Sequence, residues 1–426
     1  MAAGPAATNA STADAVVIGS GAFGSSTAYH LTRRGLKVAL VDQHALGSQT
    51  SPRAAGLTSK ADTMPTMARL RHEACEALER FESEMGRSVD FHRSGSLRAA
   101  YTDGGVERVR IAQETAAALG IEARLIDAAE AERLAPHFKP GAARRILHVP
   151  SDGWVDPARV AIGFATRAGE LGARLLPFTA VQGLLSEGGR ATGVTTPRGP
   201  IHAPVVVDAA GGWTARVAAG AGIALPLIPV RHQLFITEAI PGVEPLQPIV
   251  RLVEASVYVR YEQGGLMFGG YEDAPRVLGR EGLPAGFQIA ALELDLGVLR
   301  GLVDEVAAHF PALRDAKIVV HRGGAPTMTP DGRPILGRVP GLDGLFVASG
   351  CCVGGLSLSP AAGAGRSDRG RQERSRSRAD LGGALRRGPA RSGRPRGGVR
   401  RSVRAPLYPL RRDPMAKVDW SYHRNG

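Results

Sequence analysis

The feature that most constrains the fold is a glycine-rich turn near the start of the chain. It lies in residues 15–42, which read as an apolar strand, a Gly-x-Gly-x-x-Gly turn, an amphipathic helix, a second apolar strand and an acid. Gly19 permits the tight turn, Gly21 lets the backbone approach a pyrophosphate, and Gly24 lets the helix pack close to the strand. The pattern therefore predicts a Rossmann-like βαβ unit.

The ligand that this unit predicts is a dinucleotide. Its pyrophosphate would lie on the free N–H groups at the helix N-terminus, where the helix dipole favours an anion. Asp42, at the end of the second strand, can accept hydrogen bonds from ribose hydroxyls. The motif alone does not distinguish FAD from NAD.

The charge of the chain is concentrated in one segment. Residues 366–426 hold 17 Arg and one Lys against five acids, which accounts for the whole formal charge of +13, and residues 1–365 are balanced. This tail lacks apolar periodicity, so we expect it to be disordered. It could be a nucleic-acid-binding arm, a solvated tail or an out-of-frame translation of a GC-rich gene. We favour the frameshift because the break falls inside an expected helix, and nucleic-acid binding is not expected.

Composition narrows the class of protein further. The 426 residues suffice for more than one domain, and no apolar run approaches the ~20 residues of a membrane span. The first dozen residues lack the features of a secretory signal. Cys75, Cys351 and Cys352 predict neither a disulfide framework nor a metal site. A cytoplasmic protein without a membrane span is therefore expected.

Hydrophobic periodicity predicts alternating helices and strands. An Asp156–Pro157 pair predicts the start of a helix, since the two residues suit the N-cap and first helical positions. The predicted helices cover residues 64–86, 104–119, 128–135, 157–171 and 287–309. The predicted strands lie near 89–101, within 173–186, and at 192–196, 204–209, 228–238, 256–271, 317–322 and 344–348.

Three later segments carry a resemblance to a known family. They are VVVDAAGGWTARVA at 205–218, PDGRPILG at 330–337 and GLFVASGCCVGGLSLSPAAG at 344–363. With residues 15–42 they resemble the FAD-dependent D-amino-acid oxidase superfamily, and most closely the flavin domains of dimethylglycine and sarcosine dehydrogenases and oxidases. The stretches at 146–157 and 229–238 support the narrower likeness, which spans about residues 13–365.

The resemblance implies an α/β fold with two interleaved domains. A Rossmann-like FAD-binding domain would comprise residues 13–92, 146–222 and 317–365. An α+β substrate domain with a mixed or antiparallel sheet would comprise residues 93–145 and 223–316, followed by the tail at 366–426.

The same resemblance assigns FAD as the cofactor. The last glycine-rich segment would lie along the ribityl chain and the flavin ring, with a helix N-terminus aimed at the ring edge that becomes negative on reduction. The expected FAD-binding residues are Gly19, Gly21, Ala22, Phe23, Gly24, Asp42, Gln43, Ser51, Arg53, Ala54, Ala55, Gly56, Leu57, Val181, Gly211, Trp213, Gly350, Val353, Gly354, Gly355, Leu356 and Ser357.

Arg53 marks a departure from the family pattern. It lies in the loop LGSQTSPRAAGLTSK, at the position where several relatives carry a histidine bonded to the flavin. Because arginine cannot form that bond, we predict non-covalent FAD. Arg53 could steady the reduced flavin, bind a substrate carboxylate or be a solvated loop residue.

By resemblance the substrate is a small amine, such as an N-methyl amino acid, oxidised by hydride transfer to flavin N5. His232 would accept a proton or orient the amine, Tyr258 would donate to the substrate carboxylate, and Arg260 would pair with it. The structural alternatives, a core histidine and a core aromatic, stay open. The electron acceptor would be oxygen or another oxidant; the absence of Lys from GGLMFGGY slightly favours the latter.

Two other functions remain open. One is a glycine, D-amino-acid or imino-acid oxidoreductase with a primary or cyclic amine as substrate. The other is a non-catalytic flavin-fold protein whose basic tail binds nucleic acid.

Overall fold

The computed structural model describes residues 11–364, and the expected tail at 366–426 lies outside this range. The strands within it are β1 Ser11–Thr12, β2 Ala15–Ile18, β3 Val38–Val41, β4 Leu57–Thr58, β5 Ser96–Ala100, β6 Arg124–Ile126, β7 Arg145–Val149, β8 Gly153–Trp154, β9 Arg174–Leu176, β10 Gly183–Glu187, β11 Arg190–Thr195, β12 Ile201–His202, β13 Val205–Asp208, β14 Ile228–Pro229, β15 His232–Thr237, β16 Ile249–Leu252, β17 Val257–Glu262, β18 Gly265–Gly270, β19 Ile318–Gly324, β20 Thr327–Met328, β21 Ile335–Arg338 and β22 Leu345–Ser349.

The helices of the same residues follow the predicted alternation. They are α1 Ala22–Arg33, α2 Pro65–Glu79, α3 Phe81–Met85, α4 Asp103–Ala118, α5 Ala128–Leu134, α6 Pro157–Glu170, α7 Thr214–Ala219, α8 Leu296–Val306, α9 Ala312–Asp315 and α10 Gly355–Gly363, with short 3-10 turns at Ser51–Arg53, Gly211–Trp213 and Ile289–Ala291.

The glycine-rich turn follows a central strand of a six-stranded sheet. The strand order is β21-β22-β13-β2-β3-β9, and every pairing is parallel except the one that β21 makes at the edge. Strands β2, β3 and β13 are buried throughout because apolar layers cover both faces of the sheet. Helices α1 and α6 supply one of those layers. This is the Rossmann-like sheet that the sequence predicts.

A second, eight-stranded sheet supplies the other half of the fold. Its order is β19-β15-β18-β17-β16-β5-β7-β6, and only the pairing of β5 with β16 is parallel. One face packs on α8 through residues such as Phe235 and Phe268, whose ring centroids lie 5.2 Å apart. The opposite face carries Leu234, Tyr258 and Met267. The predicted mixed, largely antiparallel second sheet is confirmed.

The structure corrects several predicted boundaries. The helix expected over 64–86 is interrupted at Arg80, which separates α2 from α3. The helix expected over 287–309 is shorter in the structure, where α8 covers only Leu296–Val306. The Gln233 side chain bonds both the backbone N–H and the backbone C=O of Asp295, and this holds the preceding segment outside the helix. Strands β7 and β19 belong to the eight-stranded sheet, although the predicted boundaries at 146 and 317 assign most of each to the cofactor domain.

Candidate active site

A large cavity of about 780 Å³ lies between the two sheets. One end is formed by the glycine-rich turn and the carboxyl end of β3. The other end is formed by the face of the eight-stranded sheet that carries Leu234 and Tyr258, and by the start of α10. The cavity therefore has the extended form that a dinucleotide needs, and it follows the carboxyl ends of parallel strands, where ligands of open α/β sheets bind.

The glycine-rich turn is packed as the sequence predicts. Gly19 has φ +93°, and a Cβ there would lie 2.6 Å from the carbonyl oxygen of Ala209. A Cβ on Gly24 would lie 1.8 Å from the carbonyl oxygen of Gly19, so only glycine lets α1 approach the strand. Asp42 Oδ2 accepts hydrogen bonds from the Ser20 N–H at 2.7 Å and the Ser20 hydroxyl at 2.6 Å. Its carboxylate thus links the turn to β3 and also lines the cavity.

The loop after β3 runs along the cavity wall. Ser51 Oγ accepts a hydrogen bond from the Ala22 N–H at 3.0 Å, which joins the loop to the first turn of α1. The Arg53 guanidinium donates to the backbone oxygens of Ser48, at 2.6 Å, and Gln49. Burial and the nearby Arg322 lower the pKa of Arg53. Arg53 is therefore held by the loop's own carbonyls while it faces the cavity.

The last glycine-rich segment is held in a strained conformation beside the same cavity. Thr327 Oγ1 accepts hydrogen bonds from the N–H groups of Gly350, at 3.0 Å, and Cys351, at 3.2 Å. Cys352 and Val353 both have positive φ, 43° and 60°, which is unfavourable for a β-branched valine. Such strain is characteristic of segments whose backbone faces a ligand.

Two helix N-termini fit the cofactor. Helix α1 begins after Gly21 and α10 after Gly354, and neither start has a side-chain cap. Because both N-cap residues are glycines, they offer no side-chain acceptor to the first turn, although the Ala22 N–H of α1 donates to Ser51 Oγ at 3.0 Å. Both helix starts line the cavity. One can receive the pyrophosphate and the other the electron-rich edge of a flavin.

Most of the predicted cofactor residues come together around this cavity. Those that line it are Gly19, Gly21, Ala22, Phe23, Asp42, Gln43, Ser51, Arg53, Ala54, Ala55, Gly56, Leu57, Val181, Gly211, Trp213, Val353, Gly354, Gly355, Leu356 and Ser357. Gly24 and Gly350 are not among the lining residues. Gly24 lies behind the turn against Gly19, and Gly350 lies in the strand-to-helix connection against Thr329.

His232 and Tyr258 meet on the sheet face of the cavity. His232 Nε2 lies 3.1 Å from the Tyr258 hydroxyl, and its ring stacks on Tyr271 with centroids 5.0 Å apart. Burial lowers the pKa of His232 to about 4, so the ring is neutral at pH 7. Burial also raises the pKa of both tyrosines, so each keeps its hydroxyl proton.

A glycine on the neighbouring strand makes room for Tyr258. Gly269 lies directly opposite Tyr258 in the β17–β18 register. A Cβ on Gly269 would lie 2.2 Å from the Tyr258 oxygen and 2.3 Å from its ring carbon Cζ. The glycine therefore lets the tyrosine ring lie across β18 and reach His232.

The geometry does not support the role predicted for Arg260. Its side chain is almost fully buried and does not line the cavity. The guanidinium pairs with Glu262 at 2.6 Å, donates to the Ala55 carbonyl oxygen at 2.9 Å and lies over the Trp154 ring. Because these contacts already engage the guanidinium, Arg260 connects the eight-stranded sheet to the loop after β3.

The polar residues of the wall that were not predicted from the sequence include Arg71, Arg251 and Tyr271. Tyr271 ends the GGLMFGGY motif, so the alternation of that strand could have placed it two residues beyond Gly269. Arg71 lies on α2, where no local pattern marks it. Arg251 faces Tyr258 across the β16–β17 pair, a register that the sequence does not reveal.

Comparison with known proteins identifies the family. The family model described as FAD dependent oxidoreductase, DAO, matches residues 14–365. The chain belongs to this family of FAD-dependent oxidoreductases. The cofactor of the chain is accordingly FAD. Members of the family act on amine C–N groups. The narrower likeness to dimethylglycine and sarcosine dehydrogenases is also confirmed.

Individual relatives agree with this placement. The chain is 31% identical over 363 residues to mitochondrial dimethylglycine dehydrogenase of Mus musculus, covering 83% of this chain and 41% of that protein. It is 32% identical over 353 residues to 4-methylaminobutanoate oxidase (formaldehyde-forming) of Paenarthrobacter nicotinovorans, covering 82% and 42%. The chain thus spans less than half the length of these relatives. The crystal structure of L-proline dehydrogenase from P. horikoshii matches with a TM-score of 0.74 and 27% identity, covering 83% and 92%.

Three further observations concern residues 11–364 only. No helix in this range is long and apolar enough to cross a membrane. No group of three or more His, Cys, Asp or Glu side chains in it could hold a metal ion. The three cysteines are free thiols.

Proposed function

We propose that this protein oxidises the C–N bond of a small secondary or tertiary amine, such as an N-methyl amino acid. The observation that carries the proposal is the pairing of His232 with Tyr258 beside Tyr271, at the end of the cavity where α10 begins. Leu234 and Leu356 add apolar surface to the same wall. The relatives named for dimethylglycine, 4-methylaminobutanoate and L-proline support an N-substituted amino acid.

The reaction transfers a hydride from the carbon next to nitrogen, while the nitrogen lone pair forms the C=N bond of an iminium ion. FAD, when bound, supplies the acceptor for that hydride. Water then adds to the iminium carbon, and cleavage of the C–N bond gives an amine, an aldehyde and a proton. The protein's task is to hold the amine with its lone pair free and its C–H bond directed towards the flavin.

His232 suits orientation better than proton storage. A group with a pKa of about 4 is a weak base, so it takes up little of the proton that an ammonium substrate must lose near pH 7. A neutral imidazole also adds no positive charge beside the iminium ion that forms. We therefore assign His232 to orienting the amine together with the Tyr258 hydroxyl, 3.1 Å away.

The first test is anaerobic reduction of the flavin by a panel of amines. Bleaching by sarcosine or dimethylglycine with release of formaldehyde supports the proposal. Release of ammonia from glycine or a D-amino acid supports deamination instead. Bleaching by proline without either product supports a cyclic amine substrate, the alternative that the likeness to L-proline dehydrogenase favours.

The second test addresses His232. We expect His232→Ala to retain FAD, because His232 lies away from the pyrophosphate end, but to lose most turnover with the best amine. His202→Ala is the matched control, since His202 is exposed on β12. Wild-type turnover in His232→Ala contradicts the assignment. The prediction of non-covalent FAD is checked in the same preparations, because acid precipitation should leave all yellow colour in the supernatant.

A further inference from the structure

The cavity wall contains one arginine without a partner. Arg53, Arg71, Arg216 and Arg251 all line the cavity. The first three are engaged: Arg53 by loop carbonyls, Arg71 by Asp62 and Ser357, and Arg216 by the carbonyl oxygen of Leu283. Within residues 11–364, no hydrogen bond or ion pair engages the side chain of Arg251, and its Nε is buried without an acceptor.

The surroundings of Arg251 make this unusual. In the register of the eight-stranded sheet, Arg98 lies directly opposite it on β5 and Tyr258 directly opposite it on β17. Its charged neighbours are two further cations, Arg98 and Arg71, and the carboxylate of Asp152. The Arg71 guanidinium is paired with Asp62 at 2.9 Å, and Asp152 accepts hydrogen bonds from Ser59, Ser96 and the Lys60 N–H. Burial and these two cations lower the pKa of Arg251 to about 10, and it still carries a positive charge at pH 7.

A partly buried cation that no anion contacts directly costs free energy, which a bound anion would recover. The planar guanidinium matches a carboxylate in a bidentate pair. Tyr258 lies beside Arg251 and carries the hydroxyl that contacts His232, so an anion at Arg251 would lie next to the pair assigned to the amine. An amino acid carries its carboxylate and its nitrogen at this short separation.

We propose that Arg251 binds the carboxylate of the substrate and so restricts it to amino acids rather than simple amines. This inference rests on the function proposed above. Arg251 takes the role that the resemblance gave to Arg260, because the Arg260 guanidinium is already paired with Glu262 and donates to the Ala55 carbonyl oxygen. Arg251 acts as a specificity-determining residue and takes no part in the transfer of hydride.

The test uses a pair of unreactive probes with purified holoenzyme. 3-Methylbutanoate has the shape of dimethylglycine with carbon in place of nitrogen, so it cannot be oxidised at a C–N bond, and 3-methylbutanamide is its uncharged match. Calorimetry and the flavin spectrum measure their affinity. In wild type we expect the acid to bind more tightly than the amide. Arg251→Met should weaken the binding of the acid by about 10-fold to 150-fold, the loss expected for a hydrogen bond to a charged group. The affinity for the amide should not change.

Melting temperature separates ligand binding from a structural role. Arg251→Met removes an unpaired, partly buried charge, so we expect the ligand-free variant to melt at the wild-type temperature or above it. The rise in melting temperature that 3-methylbutanoate gives in wild type should disappear. Arg251→Lys should retain part of the affinity, and Arg300→Met, on the exposed side of α8, should behave as wild type.

The outcomes separate the two proposals. If no amine bleaches the wild-type flavin but the probe results hold, the proposed reaction is wrong and the carboxylate site stands. If N-methyl amino acids bleach the flavin and Arg251→Met keeps the wild-type KM and probe affinity, the inference about Arg251 is wrong. A fall in melting temperature with unchanged probe affinity also overturns it, because that result marks a structural arginine.

Discussion

Replacing Gly269 with alanine tests whether the space beside β18 positions Tyr258. The added Cβ would lie 2.2 Å from the Tyr258 oxygen and 2.3 Å from Cζ, so the ring must move. Overpacking of this kind costs about 1–3 kcal/mol. Loss of the 3.1 Å hydrogen bond to His232 adds about 0.5–1.5 kcal/mol. We expect Gly269→Ala to lower the free energy of unfolding by about 2–4 kcal/mol and to reduce turnover as His232→Ala does.

Urea unfolding followed by tryptophan fluorescence measures the change in stability. Gly301→Ala is the matched control, because Gly301 is exposed on α8 and a Cβ there meets nothing within 4 Å. The control should gain about 0.5–1 kcal/mol, since alanine is favoured over glycine within a helix. A double-mutant cycle with Tyr258→Ala isolates the contact, because a missing ring leaves room for the Cβ. The reasoning is refuted if Gly269→Ala costs the same with and without the Tyr258 ring.

Three further predictions concern charge. The pKa of His232 is lowered from 6.5 to about 4 in the folded protein, so the unfolded chain takes up the proton first and the free energy of unfolding falls as pH drops from 6.5 towards 4. His232→Gln should therefore lose less melting temperature than wild type between pH 7 and pH 5. An equal loss in the two proteins would contradict the lowered pKa. Burial raises the pKa of Asp208 from 3.8 to about 7, so the free energy of unfolding falls as pH rises through this range. Asp208→Asn should therefore raise the melting temperature more at pH 8 than at pH 5. The same rise at both pH values would count against the argument. Glu272→Gln removes the carboxylate that pairs with buried Arg231 at 2.9 Å, and it should lower the free energy of unfolding in urea by about 3 kcal/mol. Glu293→Gln is the control and should change that free energy little, because its ion pair with Arg276 is exposed. Similar losses in the two variants would show that burial does not decide the effect.

The cofactor half of the site could be predicted because its signals are local. Gly19, Gly24 and Asp42 act within one βαβ unit, and their spacing already contains the geometry of strand, turn and helix. The start of α6 was equally local: the Asp156 side chain accepts from the Ala158 N–H at 2.9 Å, as an N-cap should, and Pro157 opens the helix.

The substrate half depends on contacts between distant segments. Alternation places Tyr258 and Arg260 on the same face of β17, and the sequence cannot say which one opens onto the cavity. The Arg260 guanidinium packs on the Trp154 ring and pairs with Glu262, while Gly269 leaves room for the Tyr258 ring. The registers of β16 with β5 and β17, which set Arg251 beside Tyr258, were likewise beyond any local pattern.

The strand order of the six-stranded sheet has a consequence for how the protein folds. Strand β2 is made early, yet its neighbour β13 is synthesised nearly 190 residues later, and β22, which completes the parallel core, follows some 140 residues after that. The nascent chain must therefore keep apolar strand edges unpaired while these long intervening segments are made, when aggregation competes with folding. The helix start at Gly355 emerges later still, so a complete flavin site forms only after every strand of the six-stranded sheet has been made. Flavin supplied during refolding should increase the yield of native protein by stabilising the assembled sheet rather than by guiding the earlier pairing of its strands.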